Sequence, residues 1–365
     1  MSPKRVVVLQ RPVDLDDVQA IEALDSMGMF GTARDLPEQC SRALDTAADV
    51  PLPAGGPFQN IVVTGLGGSA IGGDLLRVYA FTCLDIPVTV NRGYTLPRFA
   101  GPRTLVLAVS FSGNTEETLG AYNEARRRGA AIVAVTSGGQ LAAQARRDGV
   151  PLITVPGGIA PRSAIGYLFL PLLMLLDRLG LVNGIEAEAA EAVRILRELR
   201  IRYDLEAPLT ENPAKQMAMN LQGRIPVIWG ASTTTEAVAQ RWKGQINENA
   251  KAPAYWNVLP ELNHNEIVGF QAPTDILHRI WLVFLRDPDD HPQVQKRFAV
   301  TREIVGKVVA GVSEVEASGK GLLARMFSLI YLGDYVSLYL ACRYGINPGP
   351  VEVIDRLKST LAKGE

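Results

Sequence analysis

The sequence predicts an α/β protein made of two similar units in tandem. Short apolar segments alternate with helical patterns between residues 60 and 182, and the alternation starts again after Gly223. Apolar strands separated by helices are typical of parallel sheets that helices cover on both faces. The length of 365 residues also favours two domains, because a single core seldom grows to that size.

The individual elements follow from the local patterns. Apolar runs predict five strands in the first unit, at residues 61–64, 86–90, 104–109, 131–135 and 152–155. Four more strands are predicted in the second unit, at residues 225–229, 254–258, 276–285 and 312–315. Helical patterns connect the strands, at residues 70–80, 115–128, 165–179, 234–249, 292–309 and 320–343.

Two further segments flank and join these units. The N-terminal segment lacks strand patterns and has a helix start at residues 36–39, and an amphipathic Ala-, Glu- and Arg-rich helix is predicted at residues 183–205. We therefore expect a helical arm at residues 1–44, a first domain at 45–182, connecting helices at 183–222, a second domain at 223–345 and a C-terminal helix at 346–365.

Charge and composition exclude several classes of function. The 37 basic and 38 acidic residues give a net charge of −1, so neither nucleic acid nor a membrane surface is expected as a partner. The most apolar stretch, residues 167–176, is too short to span a membrane, and the apolar run at residues 6–9 ends too early for a signal peptide. The three cysteines, Cys40, Cys83 and Cys342, are widely spaced and predict a reducing, cytoplasmic location.

A hydroxyl-rich turn follows the strand predicted at residues 104–109. Ser110, Ser112 and Thr115 lie within six residues, around Gly113, where the strand ends and a helix begins. The free N–H groups of a first helical turn attract anions, and hydroxyls can donate to phosphate oxygens. The turn therefore predicts an anion site, and ordinary helix capping by the same residue types is the alternative.

A glycine-rich turn after the first strand formally matches a dinucleotide-binding fingerprint, with Gly-Leu-Gly-Gly-Ser-Ala at residues 65–70. A nicotinamide site also needs a carboxylate where the second strand ends, and Asn91 and Arg92 stand there, while Asp85 precedes the strand. We therefore interpret the glycines as a close approach to a smaller anion, with a hydroxyl from Ser69. A tight turn with no ligand is the alternative.

Five segments, in this order, resemble the bifunctional phosphoglucose/phosphomannose isomerase family, whose chains carry two tandem sugar isomerase (SIS) domains. They are Gly-Gly-Ser-Ala-Ile-Gly-Gly-Asp at residues 67–74, the turn at 110–115, Pro-Arg-Ser-Ala at 161–164, Asn-Glu-Asn-Ala-Lys at 247–251 and Glu-Leu-Asn-His-Asn-Glu at 261–266. The similarity covers nearly the whole chain. It implies two SIS domains, a phosphosugar substrate and no metal ion or other cofactor.

The resemblance also implies residue roles. Glu248 would move a proton between C2 and C1, Arg162 would stabilise the enediolate, and His264 would assist ring opening. In this family the neighbouring subunit supplies that histidine, which implies a homodimer. Lys358 matches a family lysine placed at the sugar ring. The substrate's phosphate side is assigned to Ser69, Ser110, Ser112 and Thr115, with Gly67 and Gly68 in the substrate loop.

The chemistry of aldose–ketose isomerisation calls for the same residue types. A carboxylate must reach the weakly acidic proton beside the carbonyl, and a fixed cation must stabilise the oxyanion that develops. Taken singly, each residue has another reading: a capped helix end for Glu248, an exposed loop for His264 and a surface position for Arg162. We interpret His278, in the strand predicted at 276–285, and His291 as structural.

The chain departs from the family pattern before its last helix. Relatives often have a threonine, associated with the mannose epimer, where this chain has Gly349 within Asn-Pro-Gly-Pro-Val at residues 347–351. The missing hydroxyl leaves open whether mannose 6-phosphate is a substrate beside glucose 6-phosphate, and how efficiently it would be used. Two alternatives to this isomerase stay open: a phosphosugar sensor without catalysis, and an isomerase of another phosphosugar such as an amino sugar.

Overall fold

The computed structural model describes residues 11–362. The apolar run at residues 6–9 and the first ten residues of the predicted helical arm lie outside this range, as do residues 363–365. Three short helices open the described part of the chain: α1 (Val18–Leu24), α2 (Met29–Arg34) and α3 (Leu36–Asp45).

The first sheet is parallel throughout and has five strands in the order β2-β1-β3-β4-β5. The strand predicted at residues 104–109 is confirmed with the same bounds, and the other four shift by at most two residues at either end. Its strands are β1 (Asn60–Thr64), β2 (Val88–Asn91), β3 (Thr104–Val109), β4 (Ala131–Thr136) and β5 (Leu152–Thr154). The accompanying helices are α4 (Gly68–Ala80), α5 (Glu116–Arg127), α6 (Gly139–Asp148) and α7 (Ile165–Arg178).

The second sheet is also parallel, with four strands in the order β7-β6-β8-β9. The helices α8 (Ile185–Tyr203) and α9 (Pro213–Leu221) join the two sheets. The second sheet contains β6 (Ile225–Ala231), β7 (Tyr255–Leu259), β8 (Ile280–Arg286) and β9 (Gly311–Glu316). The remaining helices are α10 (Glu236–Gln245), α11 (Thr274–Leu277), α12 (Pro292–Val305), α13 (Leu322–Arg343) and α14 (Glu352–Ala362).

One strand prediction is wrong in its first part. Residues 276–279 belong to the end of the short helix α11 and to its exit, and β8 begins only at Ile280, which pairs with Ile225 of β6. Leu277 is buried from this helical turn, so its apolar character did not require a strand. His278 caps the C-terminus of α11 and does not lie in a strand.

The long helix α13 lies at the centre of the described part of the molecule. Every residue from 323 to 342 is buried, and the helix packs against α8, α9 and α10. A single apolar cluster joins it to the helices of the first sheet, including Leu168 of α7 and Leu338 of α13. The two sheets therefore share one core, and the predicted boundaries between the domains stay a prediction.

The last helix, α14, differs from the rest because its apolar side chains are exposed. Val353, Leu357 and Leu361 are 84%, 59% and 68% exposed within one chain. Among residues 11–362, none of the helices combines the length and the apolar character needed to cross a membrane.

Candidate active site

A cavity of about 190 Å³ opens where the carboxyl ends of the first sheet's strands meet α10. Parallel α/β sheets commonly bind ligands at this edge. Both halves of the chain contribute to its walls, with Gly67, Gly68, Ile71, Arg92 and Arg162 from the first half and Gln240, Arg241, Lys243, Gly244, Gln245, Glu248 and Trp256 from the second.

The glycine-rich turn forms one wall of the cavity. Gly67 has φ +52°, a left-handed conformation that favours glycine. A Cβ atom on Gly68 would lie 2.7 Å from the carbonyl oxygen of Pro161, so only glycine fits there. The N-terminus of α4 can therefore lie directly against the backbone that carries Arg162.

The hydroxyl-rich turn and the glycine-rich turn are joined by hydrogen bonds. The backbone N–H of Phe111 donates to Oγ of Ser69 at 3.1 Å. Oγ of Ser110 lies 2.8 Å from Oγ1 of Thr115 and accepts the Gly113 N–H at 3.1 Å. The four predicted hydroxyl residues thus belong to two adjoining loops.

Helix capping does not explain these hydroxyls. Thr115 is the N-cap residue of α5, but its side chain makes no capping hydrogen bond. Ser69 and Ser110 are buried, Thr115 is half-buried and Ser112 is exposed. Among the four hydroxyls, that of Ser112 is therefore the one most open to solvent.

Arg162 is buried, with 4% of its surface exposed, so a surface position is excluded. It lies in a 3₁₀ turn (Pro161–Ser163) between β5 and α7. Its Nε–H donates to Oδ1 of Asn249 at 2.6 Å, and its Nη2 donates to the carbonyls of Pro348 and Gly349 at 2.8 and 2.7 Å. Burial lowers the pKa of this guanidinium, and the nearby Glu248 carboxylate opposes that effect.

Glu248 lies on a π-helical turn (Ile246–Ala250) that continues α10. Such turns are rare in proteins, and those that occur often lie at functional sites. Its carboxylate is about one third exposed, and Oε2 lies 3.7 Å from Nη1 of Arg162. A carboxylate open to the cavity thus stands beside a buried guanidinium, which joins a candidate base to a candidate oxyanion-stabilising group.

A buried network in the wall of the cavity was missed by sequence reasoning. Nη2 of Arg241 donates to both oxygens of Asp334, at 2.9 and 2.7 Å, and to the backbone carbonyl of Arg162 at 3.0 Å. Gln245 donates to the same carboxylate at 2.8 Å. Burial raises the pKa of Asp334, and Arg241 opposes that effect. The four-residue spacing of Arg241 and Gln245 on one helix was the only local signal.

Family comparisons agree with this architecture. Residues 58–164 match the SIS domain, and residues 210–361 match the bacterial phospho-glucose isomerase C-terminal SIS domain. A bifunctional phosphoglucose/phosphomannose isomerase from Caldicellulosiruptor bescii is 49% identical over 92% of this chain and 99% of its own length. Another, from Aquifex aeolicus, is 35% identical over 84% of this chain and 92% of its own.

The chain belongs to the bifunctional phosphoglucose/phosphomannose isomerase family. Solved structures share its fold. A glucose-6-phosphate isomerase-like protein from Thermus thermophilus superposes with a TM-score of 0.63 at 21% identity, covering 93% of this chain and 99% of that protein. The C-terminal domain of a glucosamine-fructose-6-phosphate aminotransferase from Francisella tularensis gives 0.65 at 12% identity, covering 89% and 98%. The predicted class, two SIS domains with parallel sheets, is confirmed.

Two residues that the family resemblance assigned to the site lie elsewhere in the single chain. His264 is in an exposed 3₁₀ turn (Glu261–His264), and Lys358 is on the exposed helix α14. Neither is among the described residues that line the cavity. Within one chain, the geometry therefore brings together Gly67, Gly68, Arg162 and Glu248 at the cavity. The four predicted hydroxyl residues are not among the described lining residues, and their loops adjoin the cavity through Gly68, the neighbour of Ser69.

Among the described residues, the loops that follow the strands of the second sheet contain no solvent-open hydroxyl turn like the one at residues 110–115. By strand order, β6 and β8 correspond to β1 and β3, and Thr234 and Asp290 follow them. Oγ1 of Thr234 donates to Oδ1 of Asp290 at 2.5 Å, and Oδ2 accepts the Asp287 N–H at 3.1 Å. Burial raises the pKa of Asp290. A carboxylate of the chain itself therefore occupies these donors in the second sheet.

Proposed function

We propose that this chain is an aldose–ketose isomerase that interconverts glucose 6-phosphate and fructose 6-phosphate through a cis-enediol. The observation that carries the proposal is the pairing of Glu248 and Arg162, 3.7 Å apart at one cavity, beside two hydroxyl-bearing loops. Relatives named as phosphoglucose/phosphomannose isomerases over most of the chain support it.

Glu248 would act as the general base. Its carboxylate is solvent-accessible at the cavity and can take a proton from C2 and return it to C1. Arg162 would stabilise the negative charge that develops on O1 and O2, because it lines the cavity with Nη1 beside Glu248 while Nε and Nη2 are held by protein acceptors. A guanidinium held in this way needs no reorganisation during the reaction.

The 6-phosphate would bind at the hydroxyl-rich turn, with Ser112 in first contact and Ser69, Ser110 and Thr115 behind it. These hydroxyls lie at helix N-termini, where backbone N–H groups also point toward an anion. Phosphate binding far from C1 and C2 would serve to position the sugar.

Mannose 6-phosphate is the second substrate that the relatives' names suggest. Gly349 supplies only a backbone carbonyl, which Arg162 already uses, and no hydroxyl. We therefore propose that the chain accepts mannose 6-phosphate with lower efficiency than glucose 6-phosphate.

We further propose a cytoplasmic homodimer in which His264 reaches the partner's cavity and assists ring opening. Support comes from the exposed position of His264 and from apolar groups exposed nearby in the fold, including Tyr255 at 59% and Val268 at 60%. The exposed apolar face of α14, which carries Lys358, is a further surface that a second copy could cover.

A complementation experiment tests the shared site. H264A and E248Q homodimers would both be inactive, whereas a mixed dimer would contain one site with both groups intact. Mixing the two variants after reversible dissociation should restore up to about a quarter of the wild-type activity, because half the dimers are mixed and each has one competent site. Absence of any recovery, with mixed dimers demonstrated, would refute the shared site.

The overall function is tested by measuring turnover of glucose 6-phosphate, mannose 6-phosphate and glucosamine 6-phosphate by the purified chain. The amino sugar is included because a relative from Sulfolobus acidocaldarius, 31% identical over 63% of this chain and 70% of its own length, is a D-glucosamine-6-phosphate 4-epimerase. Saturable binding of fructose 6-phosphate with no turnover would favour the sensor instead.

A further inference from the structure

Lys251 ends the turn that carries Glu248, and its backbone has a conformation that is uncommon for lysine. It follows the π-helical turn directly and has φ +56°, one of two non-glycine residues with positive φ among residues 11–362. A lysine in the left-handed region is worth explaining, because that conformation persists only where the surroundings favour it.

The contacts of the Lys251 side chain supply that explanation. Its Nζ donates to the carbonyl of Glu248 at 2.5 Å and to the carbonyl of Pro348 at 2.9 Å. The Pro348 carbonyl also accepts a 2.8 Å hydrogen bond from Nη2 of Arg162. One backbone carbonyl thus joins the turn of the candidate base to the candidate oxyanion-stabilising arginine.

We propose that Lys251 is a positioning residue for the isomerisation, holding the Glu248 turn and residues 348–349 in the arrangement that orients Arg162. The proposal rests on the proposed function. Lys251 is not among the described residues that line the cavity, so it acts through its neighbours and not on the substrate.

The ammonium group of Lys251 lies in an unfavourable electrostatic environment. Lys251 and Arg162 bring two cations to the same carbonyl, with the Glu248 carboxylate as the nearby anion. Desolvation and the Arg162 charge lower the pKa of Lys251 to about 8, and Glu248 opposes that effect. The ammonium is therefore present below pH 8 and is lost above it, and the charge-assisted hydrogen bonds to the two carbonyls weaken with it.

The test compares K251M and K251R with the wild type, with K296M on the exposed face of α12 as the matched control. K251M should lower kcat for glucose 6-phosphate by about tenfold or more, since small misplacements of reacting groups are costly, while KM changes less than about twofold. K251R should recover most of kcat, and K296M should equal the wild type.

The pH profile distinguishes positioning from a merely structural role. Wild-type kcat should decline above about pH 8, and K251R, whose guanidinium keeps its charge, should extend activity to higher pH. Wild-type kcat in a folded K251M, or the same alkaline midpoint in K251R as in the wild type, would overturn the proposal. If K251M fails to fold, the K251R profile decides. A wild-type protein without turnover refutes the proposed function instead.

Discussion

Nη1 of Arg162 and Oε2 of Glu248 lie 3.7 Å apart, although 86 positions separate the two residues in the chain and their turns connect elements of different halves of the chain. The site therefore exists only where the two halves meet. The approach of α4 to α10 is supported by an ion pair of 2.8 Å between Arg77 and Glu236. The glycine at position 68 allows α4 to contact the backbone of residues 161–162.

Replacing the candidate base should abolish turnover without loss of fold. E248Q keeps the size of the side chain and removes its ability to take a proton, so we expect kcat to fall at least about 100-fold. The side chain is partly exposed, and the thermal midpoint should stay near that of the wild type. A coupled isomerase assay measures the change, with E303Q on exposed α12 as the control. Retained turnover in E248Q would remove Glu248 from this role.

The carboxamide of Asn249 should prove necessary for placing Arg162. It accepts from Arg162 Nε at 2.6 Å and donates to Oγ of Ser337 at 2.8 Å. N249A leaves the buried Nε–H unpaired, which costs about 1–3 kcal/mol, and should lower kcat more than it changes KM. S337A removes the acceptor behind Asn249 together with the hydrogen bond from Oγ of Ser337 to the Asp334 carbonyl, and it leaves the Arg162–Asn249 hydrogen bond in place. It should therefore have a smaller effect in the same assay and thermal melt. Equal losses of kcat in N249A and S337A would contradict the larger role expected for Asn249.

The two serines of the hydroxyl-rich turn should respond differently to substitution. Ser112 is exposed, so S112A should raise KM for glucose 6-phosphate by about tenfold and leave the thermal midpoint unchanged. Ser110 is buried and bonds to Thr115 and Gly113, so S110A should lower stability as well. Steady-state kinetics and thermal melts measure both, with T210A at an exposed position as the control. An unchanged KM in S112A would place the phosphate elsewhere.

Introducing a threonine at position 349 requires a second change. A Cβ atom there would lie 2.7 Å from Cγ and 2.8 Å from Cβ of Met27. G349T alone should therefore destabilise the protein by roughly 1–3 kcal/mol through overpacking. M27A/G349T removes Cγ and Sδ of residue 27 but keeps its Cβ, so it should regain part of that stability. It should raise the mannose 6-phosphate to glucose 6-phosphate ratio of kcat/KM by about three- to tenfold, the worth of one hydrogen bond.

The single variant M27A distinguishes the effect of added space from the effect of the threonine hydroxyl. M27A should leave the substrate ratio unchanged, because it adds room without a hydroxyl. A ratio in the double variant equal to that of M27A would show that residue 349 does not discriminate the epimers in this chain.

Sequence patterns were reliable where one local rule decided the structure. The strand at residues 104–109 is apolar at nearly every position and buried at every position, so its bounds were predicted correctly. The strand predicted from residue 276 failed because an apolar pair, Ile276 and Leu277, is equally compatible with a helical turn. Pairing with β6, a contact between distant residues, determines where β8 begins.

By itself the sequence determined the parallel α/β architecture in two units, because strand and helix patterns are local and repeat. It also predicted the residues proposed for isomerisation, through the segments around Ser110, Arg162 and Glu248. Only the tertiary structure decided that Arg162 is buried and that Asn249 and Lys251 contact its surroundings. It also decided that the ion pair of Arg241 and Asp334 lies next to the Arg162 backbone. These contacts join residues far apart in the chain, and the packing of α10 and α13 against helices of the first half creates them.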